Sequence, residues 1–131
     1  MRQYKIKRSA LDIKFSWWIR NRDDWTCVRC GKKYNKHESS STQRLDCSHY
    51  FGRGKLNTRF DVDNCDSLCK YHCHRIWSSD DREAYRTFKI KQLSENGFNM
   101  LILRSNRRNE SDLKLIDIWL RGEIKKLEEE Q

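Results

Sequence analysis

The sequence predicts a single, mostly helical α+β domain. Three observations predict it: apolar residues at helical spacing near both ends of the chain, a glycine-interrupted apolar stretch in its middle, and six cysteines. A chain of 131 residues suits one domain. Leu, Ile, Val and Phe together number only 27, a composition at which folding needs help beyond an apolar core. Small domains short of apolar area commonly gain that help from disulfides or a structural metal.

Leu11, Phe15, Trp18, Ile19 and Arg22 recur at helical spacing, which predicts an amphipathic helix over about residues 10–22 with a basic outer side. Asn35 to Thr42, with Ser39, Ser40 and Ser41, reads as a surface loop, and His37 within it as exposed. From Leu45 to Phe60, Gly52 and Gly54 interrupt the apolar residues, a pattern of short strands around a loop. Asp80 followed by Glu83 has the form of a capping box for a helix carrying Ala84, Tyr85 and Phe88, expected to end near Gly97. Leu113, Ile116, Leu120, Ile124 and Leu127 mark a last long helix. The divisions are 10–25 for the N-terminal helix, 26–79 for the central core and 80–131 for a helical extension.

The net charge is +9, concentrated in residues 1–44, which hold 12 basic and 4 acidic side chains. A polyanionic partner follows, with DNA first because phosphates bind cationic surfaces whatever the base sequence. No run approaches the length of about 18 apolar residues that crosses a membrane, so no membrane partner is expected. Met1 to Arg8 is basic with no apolar segment behind it, so a cytoplasmic location is expected, and there cysteines serve as metal ligands or free thiols.

Cys27-Val-Arg-Cys30-Gly31 has the form of a zinc knuckle, in which a tight turn lets both sulfurs face one ion. Nothing around it has the β-α-β pattern of a redox pair. Cys69 begins the second half-site, with either Cys73 or His72 as its partner: on a helix both would share the face of Cys69. Thiolate is the commoner structural ligand and favours Cys73. The 38 residues between Cys30 and Cys69 imply an insert clamped between the two halves of the metal site. Cys47 and Cys65, left over, read as small buried hydrophobes.

Within that frame lie Asp46-Cys47-Ser48-His49-Tyr50, then Thr58-Arg59-Phe60-Asp61-Val62-Asp63-Asn64, Leu68-Cys69, Cys73-His74 and Tyr85-Arg86. Histidine, asparagine and histidine in this order resemble the HNH endonuclease superfamily, most closely the phage recombination endonucleases of the NinG (Rap) type, over about residues 20–103. The resemblance implies a small ββα-metal centre stapled by a structural zinc, with helical extensions. It also implies metal-dependent cleavage of DNA phosphodiesters in branched or single-stranded recombination intermediates, inside a bacterial host cell. His49 would be the general base, Asn64 would hold it in place, and His74 would bind a catalytic Mg²⁺ or Mn²⁺ with a carboxylate assigned to Asp46. The chain departs from the family where most members carry Asp or His immediately before the base: Ser48 is a poor ligand. Asp46 shares Ser48's side of a strand and substitutes for it, with Asp63 and Asp66 as alternatives.

Arg53, Lys55 and Arg59, spaced by glycines and aromatics directly after His49, suit phosphate contacts. Trp17, Trp18 and Trp25 read as packing residues before base-stacking ones. The stripe from Leu113 to Leu127 suggests a homodimer through the last helix. Two other readings stand beside cleavage of recombination intermediates: a zinc-dependent DNA-binding module without turnover, and a sequence-specific homing or restriction-like nuclease of the same superfamily.

Overall fold

The computed structural model describes residues 8–107 and 112–130; the basic stretch from Met1 lies, apart from Arg8, outside them. The chain is mostly helical around one small sheet, the α+β class expected. Helix α1 (Ala10–Arg22) opens with a full capping box: Ser9 Oγ accepts from the Asp12 amide and Asp12 accepts from the Ser9 amide. A short turn α2 (Ser41–Arg44) leads into β1 (Leu45–His49), which pairs antiparallel with β2 (Cys65–Cys69) from Leu45 opposite Cys69 to His49 opposite Cys65. Between the strands lie a loop, the short turn α3 (Leu56–Arg59) and a 3₁₀ turn at Val62–Asn64.

Only Leu45–His49 of the expected short strands is extended; the segment after Gly54 coils into α3, and the pairing strand comes later, at Cys65. A wide π-type helical segment, Lys70–Trp77, follows β2 and runs into the turn α4 (Ser78–Asp80). Helix α5 (Arg82–Ser105) begins one residue later than expected, because Ser78–Asp80 continues the preceding helical segment. Its cap is therefore Asp81, whose carboxylate accepts from the Ala84 amide at 3.0 Å, not Asp80. The helix also runs past Gly97 to Ser105. It kinks at Ser94 (φ 68°, ψ 165°), and Gly97 sits where an added Cβ would meet Leu93 Cβ at 3.2 Å, so crowding rather than helix termination explains this glycine. Helix α6 (Leu113–Glu129) starts at Asp112, whose side chain accepts from the Lys114 and Leu115 amides.

The sheet is covered on both faces. On one, Phe15 and Ile19 of α1 pack with Cys65 and with Leu120 of α6. On the other, Leu68, Tyr85 and Phe98 join Trp25, Leu45 and Tyr50 in the larger core. Strand alternation assigns the side chains: Cys47, Cys65 and Ser67 face α1, whereas Ser48 and Asp66 face α5. The α5 face is polar at its centre. Asp66 and Lys89 are fully buried and ion-paired at 2.9 Å, Gln92 bonds both, and Tyr85 joins Asp66 to Ser48. Such a pair persists in low dielectric because each charge is paired and its remaining bonding capacity is met. Trp25 is in the core, Trp17 packs against it, and Trp18 meets Trp119 of α6 edge-on at 5.2 Å.

Candidate metal centre and active site

At the Leu45–Cys69 end of the sheet, the sulfurs of Cys27, Cys30, Cys69 and Cys73 all lie within 4.8 Å of one another. The first pair sits on a tight turn in which Gly31, at φ 80°, takes the left-handed conformation and returns its amide to the Cys27 carbonyl. The Cys30 amide points to Cys27 Sγ at 3.5 Å, and the Val28 amide donates to the Ser67 carbonyl, which ties the turn to β2. Cys69 ends β2, and the wide helical turn after it brings Cys73 inward while leaving His72 exposed. The structure thus groups Cys73, and not His72, with the other three.

A tetrahedral zinc with Zn–S bonds of about 2.3 Å needs sulfurs about 3.8 Å apart, and Cys30 Sγ and Cys69 Sγ are 4.0 Å apart. The donor chemistry and spacing fit a structural metal ion of the zinc class. Burial raises the Cys27 thiol, but backbone amides of Cys30, Cys69 and Arg29 outweigh it and hold the thiol below its usual range. Burial pushes the Cys73 thiol up, against a hydrogen bond from Arg29, whose guanidinium also covers Trp77 at 4.6 Å.

A cavity of about 230 Å³ runs along β1, lined among others by Asp46, Cys47, His49, Arg53 and His74. Asp46 Oδ2 is 2.8 Å from His74 Nδ1, so the π-type segment and β1 bring together the carboxylate and imidazole that the family resemblance assigns to one ion. Asp63 and Asp66 lie elsewhere: Asp63 pairs with Arg104 at 2.9 Å, and Asp66 is sealed against Lys89. His49 ends β1 with Nε2 at 3.0 Å from the Arg59 carbonyl. That carbonyl can only accept, so Nε2 carries the proton and Nδ1 keeps the free lone pair. Burial disfavours the imidazolium and the neighbouring Arg53 charge adds to this; together they outweigh the Arg59 carbonyl and lower the His49 pKa to about 4.

Asn64 is fully buried and reaches back over α3 to partners six and 13 residues earlier in the chain. Its Oδ1 accepts from the Phe51 amide at 2.8 Å, and its Nδ2 donates to the Phe51 and Thr58 carbonyls, both at 2.9 Å. It pins the whole 50–60 loop, and with it the Arg59 carbonyl that holds His49. Arg59 itself is placed differently from its expected role: its guanidinium is buried in an ion pair with Asp12 of α1, Nε to Oδ1 being 2.9 Å, instead of standing on the surface. Burial would raise the Asp12 carboxyl, yet the hydrogen bonds from Arg59 and Ser9 and the guanidinium charge hold it down at about 2. Arg53 lines the cavity, and Lys55 is exposed on the loop, its ammonium 5.3 Å over Phe51.

The sequence predicts α1 as a packing helix with a basic outer side, whereas in the structure its Asp12, Ser16 and Arg20 also line this cavity. The signal was present, since the three recur every four residues and so share one stripe. Arg20 is buried, donates to Ser16 Oγ at 2.7 Å, and has an Nε without a hydrogen-bond partner among the described residues. Arg8 completes the basic rim. No helix among the described residues is long and apolar enough to cross a membrane. Comparisons of the chain with protein-family models, with curated proteins and with solved structures give no match.

Proposed function

We propose that this chain is an HNH-type, metal-dependent DNA endonuclease. The observation that carries the reading is the meeting, in one arginine-rimmed cavity, of a neutral His49 with the Asp46–His74 pair. The order of elements, two antiparallel strands followed by a helical segment that supplies His74, is the order that the family resemblance implies for its ββα centre.

A phosphodiester is cut when a water oxygen bonds to phosphorus as a P–O ester bond breaks, the water's proton leaving to a base and the departing oxygen gaining one from solvent. His49 Nδ1 is suited to take that proton, because the imidazole stays neutral through the physiological range. Arg8, Arg20 and Arg53 oppose the charge that builds on the phosphate oxygens. Asn64 is a positioning residue, acting through the loop that orients the His49 ring. Asp46 and His74 are the residues that would hold a catalytic Mg²⁺ or Mn²⁺, which supplies charge neutralisation at the phosphate. Ions of this class use one or two protein carboxylates and fill the rest of their shell with water and phosphate oxygens. Zinc at the four cysteines is the structural partner of this site.

Branched or single-stranded recombination intermediates in a bacterial cell are the substrate and setting that the resemblance implies. A second copy of the chain, docking on α6, is the partner proposed for cuts in two strands; Leu115 and Ile118 there are 64% and 67% exposed. The test incubates the purified chain and Mg²⁺ or Mn²⁺ with single-stranded, duplex and branched DNA of varied sequence. Nicking that follows DNA form and stops with EDTA is the expected result. Cutting that follows base sequence would favour a homing-type nuclease, and binding without cutting of any form would favour a DNA-binding module.

A further inference from the structure

The four-cysteine cluster leaves two cysteines unused, and they are not scattered. Cys47 and His49 are two apart on β1 and share a face, and Cys65 stands directly opposite His49 on β2. Both sulfurs and one imidazole nitrogen lie within 4.8 Å of one another. Cys65 is fully buried, with its thiol donating weakly to the Arg59 carbonyl at 3.9 Å, whereas Cys47 and His49 are partly exposed and line the cavity. This set shares no residue with the four-cysteine cluster.

We propose that Cys47, His49 and Cys65 form a second metal site that takes a zinc-class, thiophilic divalent ion, and that filling it withdraws the His49 imidazole from the chemistry proposed above. Two thiolates and an imidazole select soft and borderline ions over Mg²⁺, whose shell is built from oxygens. Three protein ligands with the cavity beside them match an open zinc site, in which water takes the fourth position, and the cavity supplies the entry path. The two thiols give up their protons on binding, so uptake releases two protons to solvent. The metal and the reaction compete for one imidazole, so zinc in excess of the structural ion acts as an inhibitor. The inhibition rests on the nuclease reading; the metal site does not.

The test uses the full, reduced chain carrying metal at its four-cysteine cluster, titrated with Zn²⁺ and, in parallel, Co²⁺. Metal retained after gel filtration and the thiolate-to-cobalt charge-transfer absorption are read without DNA. The parent should take up a second equivalent, whereas Cys47→Ala and Cys65→Ala should each lose that equivalent and keep the first. Cys47 is partly exposed, so Cys47→Ala remains informative if Cys65→Ala does not fold. Saturation of the parent at one equivalent, or retention by Cys47→Ala of a second equivalent with the parent's thiolate-to-cobalt absorption, would overturn the proposal; an ion held by Asp46 and His74 lacks that absorption. A parent that binds two equivalents yet cuts no DNA would overturn the nuclease reading alone. With cutting established, the second equivalent should suppress Mg²⁺-supported nicking by the parent and spare Cys47→Ala; equal suppression of both would overturn the competition for His49.

Discussion

The two ends of the β1–β2 pair are held by different means. At the Leu45–Cys69 end, four sulfurs from two distant half-sites converge on one point. At the His49–Cys65 end, the loop between the strands is closed by hydrogen bonds, three to Asn64 and one from His49, and by the Asp12–Arg59 ion pair beneath them. The first end groups four sulfur donors that would close around one metal ion and leave it no vacant position for chemistry. The second is held by the protein's own groups, and it is there that an imidazole faces a cavity. The fold thus keeps its candidate metal staple and its histidine-lined cavity at opposite ends of one short sheet.

The largest effect expected is at the fastened end. Stripping any metal from the four cysteines with a strong chelator, or making Cys30→Ser, should abolish cooperative thermal unfolding followed by circular dichroism. Structural zinc sites contribute on the order of 10 kcal/mol, comparable with a small domain's whole net stability. An unchanged melting curve after chelation would erase the contrast between the two ends. At the other end, Asn64→Ala leaves the Phe51 amide and two carbonyls without their partner in a buried place. It should cost about 1–3 kcal/mol in denaturant unfolding while zinc content stays that of the parent. Loss of zinc together with the loop would show that the two ends form one cooperative unit.

How much of this was legible in the sequence divides along the same line. The Cys27–Cys30 spacing points to a metal half-site because ligand geometry demands a short fixed spacer, whereas after Cys69 the spacing left Cys73 and His72 open and the structure groups Cys73 with the other three. Helices α1 and α6 are equally plain, since their apolar stripes face a core. The Cys47–Cys65 neighbourhood was not legible, because it depends on strand register, which brings Cys65 opposite His49. Nor was the burial of Lys89 and Asp66, two charged residues that any composition argument places in water; only their mutual pairing across α5 and β2 makes it tolerable. Arg59 ends α3 beside the basic residues Arg53 and Lys55, and what decides its placement is Asp12, 47 residues away.

A smaller effect sharpens the account of the open end. An exposed histidine would lose its basicity as the pH fell through about 6.5. His49 is protonated only near pH 4, so single-turnover cleavage at saturating divalent ion should show no His49-dependent step at 6.5 and should fall only as the pH approaches 4. The check is the ratio of parent to His49→Ala rates across this range; a drop in that ratio centred at 6.5 would mean that the imidazole is hydrated in solution.

The proposed general-base role of His49 in DNA cleavage is decided by single-turnover nicking by His49→Ala with Mg²⁺ or Mn²⁺, measured beside its DNA affinity and the occupancy of its four-cysteine cluster. The substitution removes neither a ligand of that cluster nor a cationic rim residue. Metal at the cluster and DNA affinity should therefore match the parent, stability should fall by no more than the loss of the His49–Arg59 carbonyl hydrogen bond, about 1–3 kcal/mol, and the cleavage rate should fall by about a hundredfold or more, the scale for losing a positioned base. A folded, zinc-loaded His49→Ala that cuts DNA at the parent's rate would contradict the account.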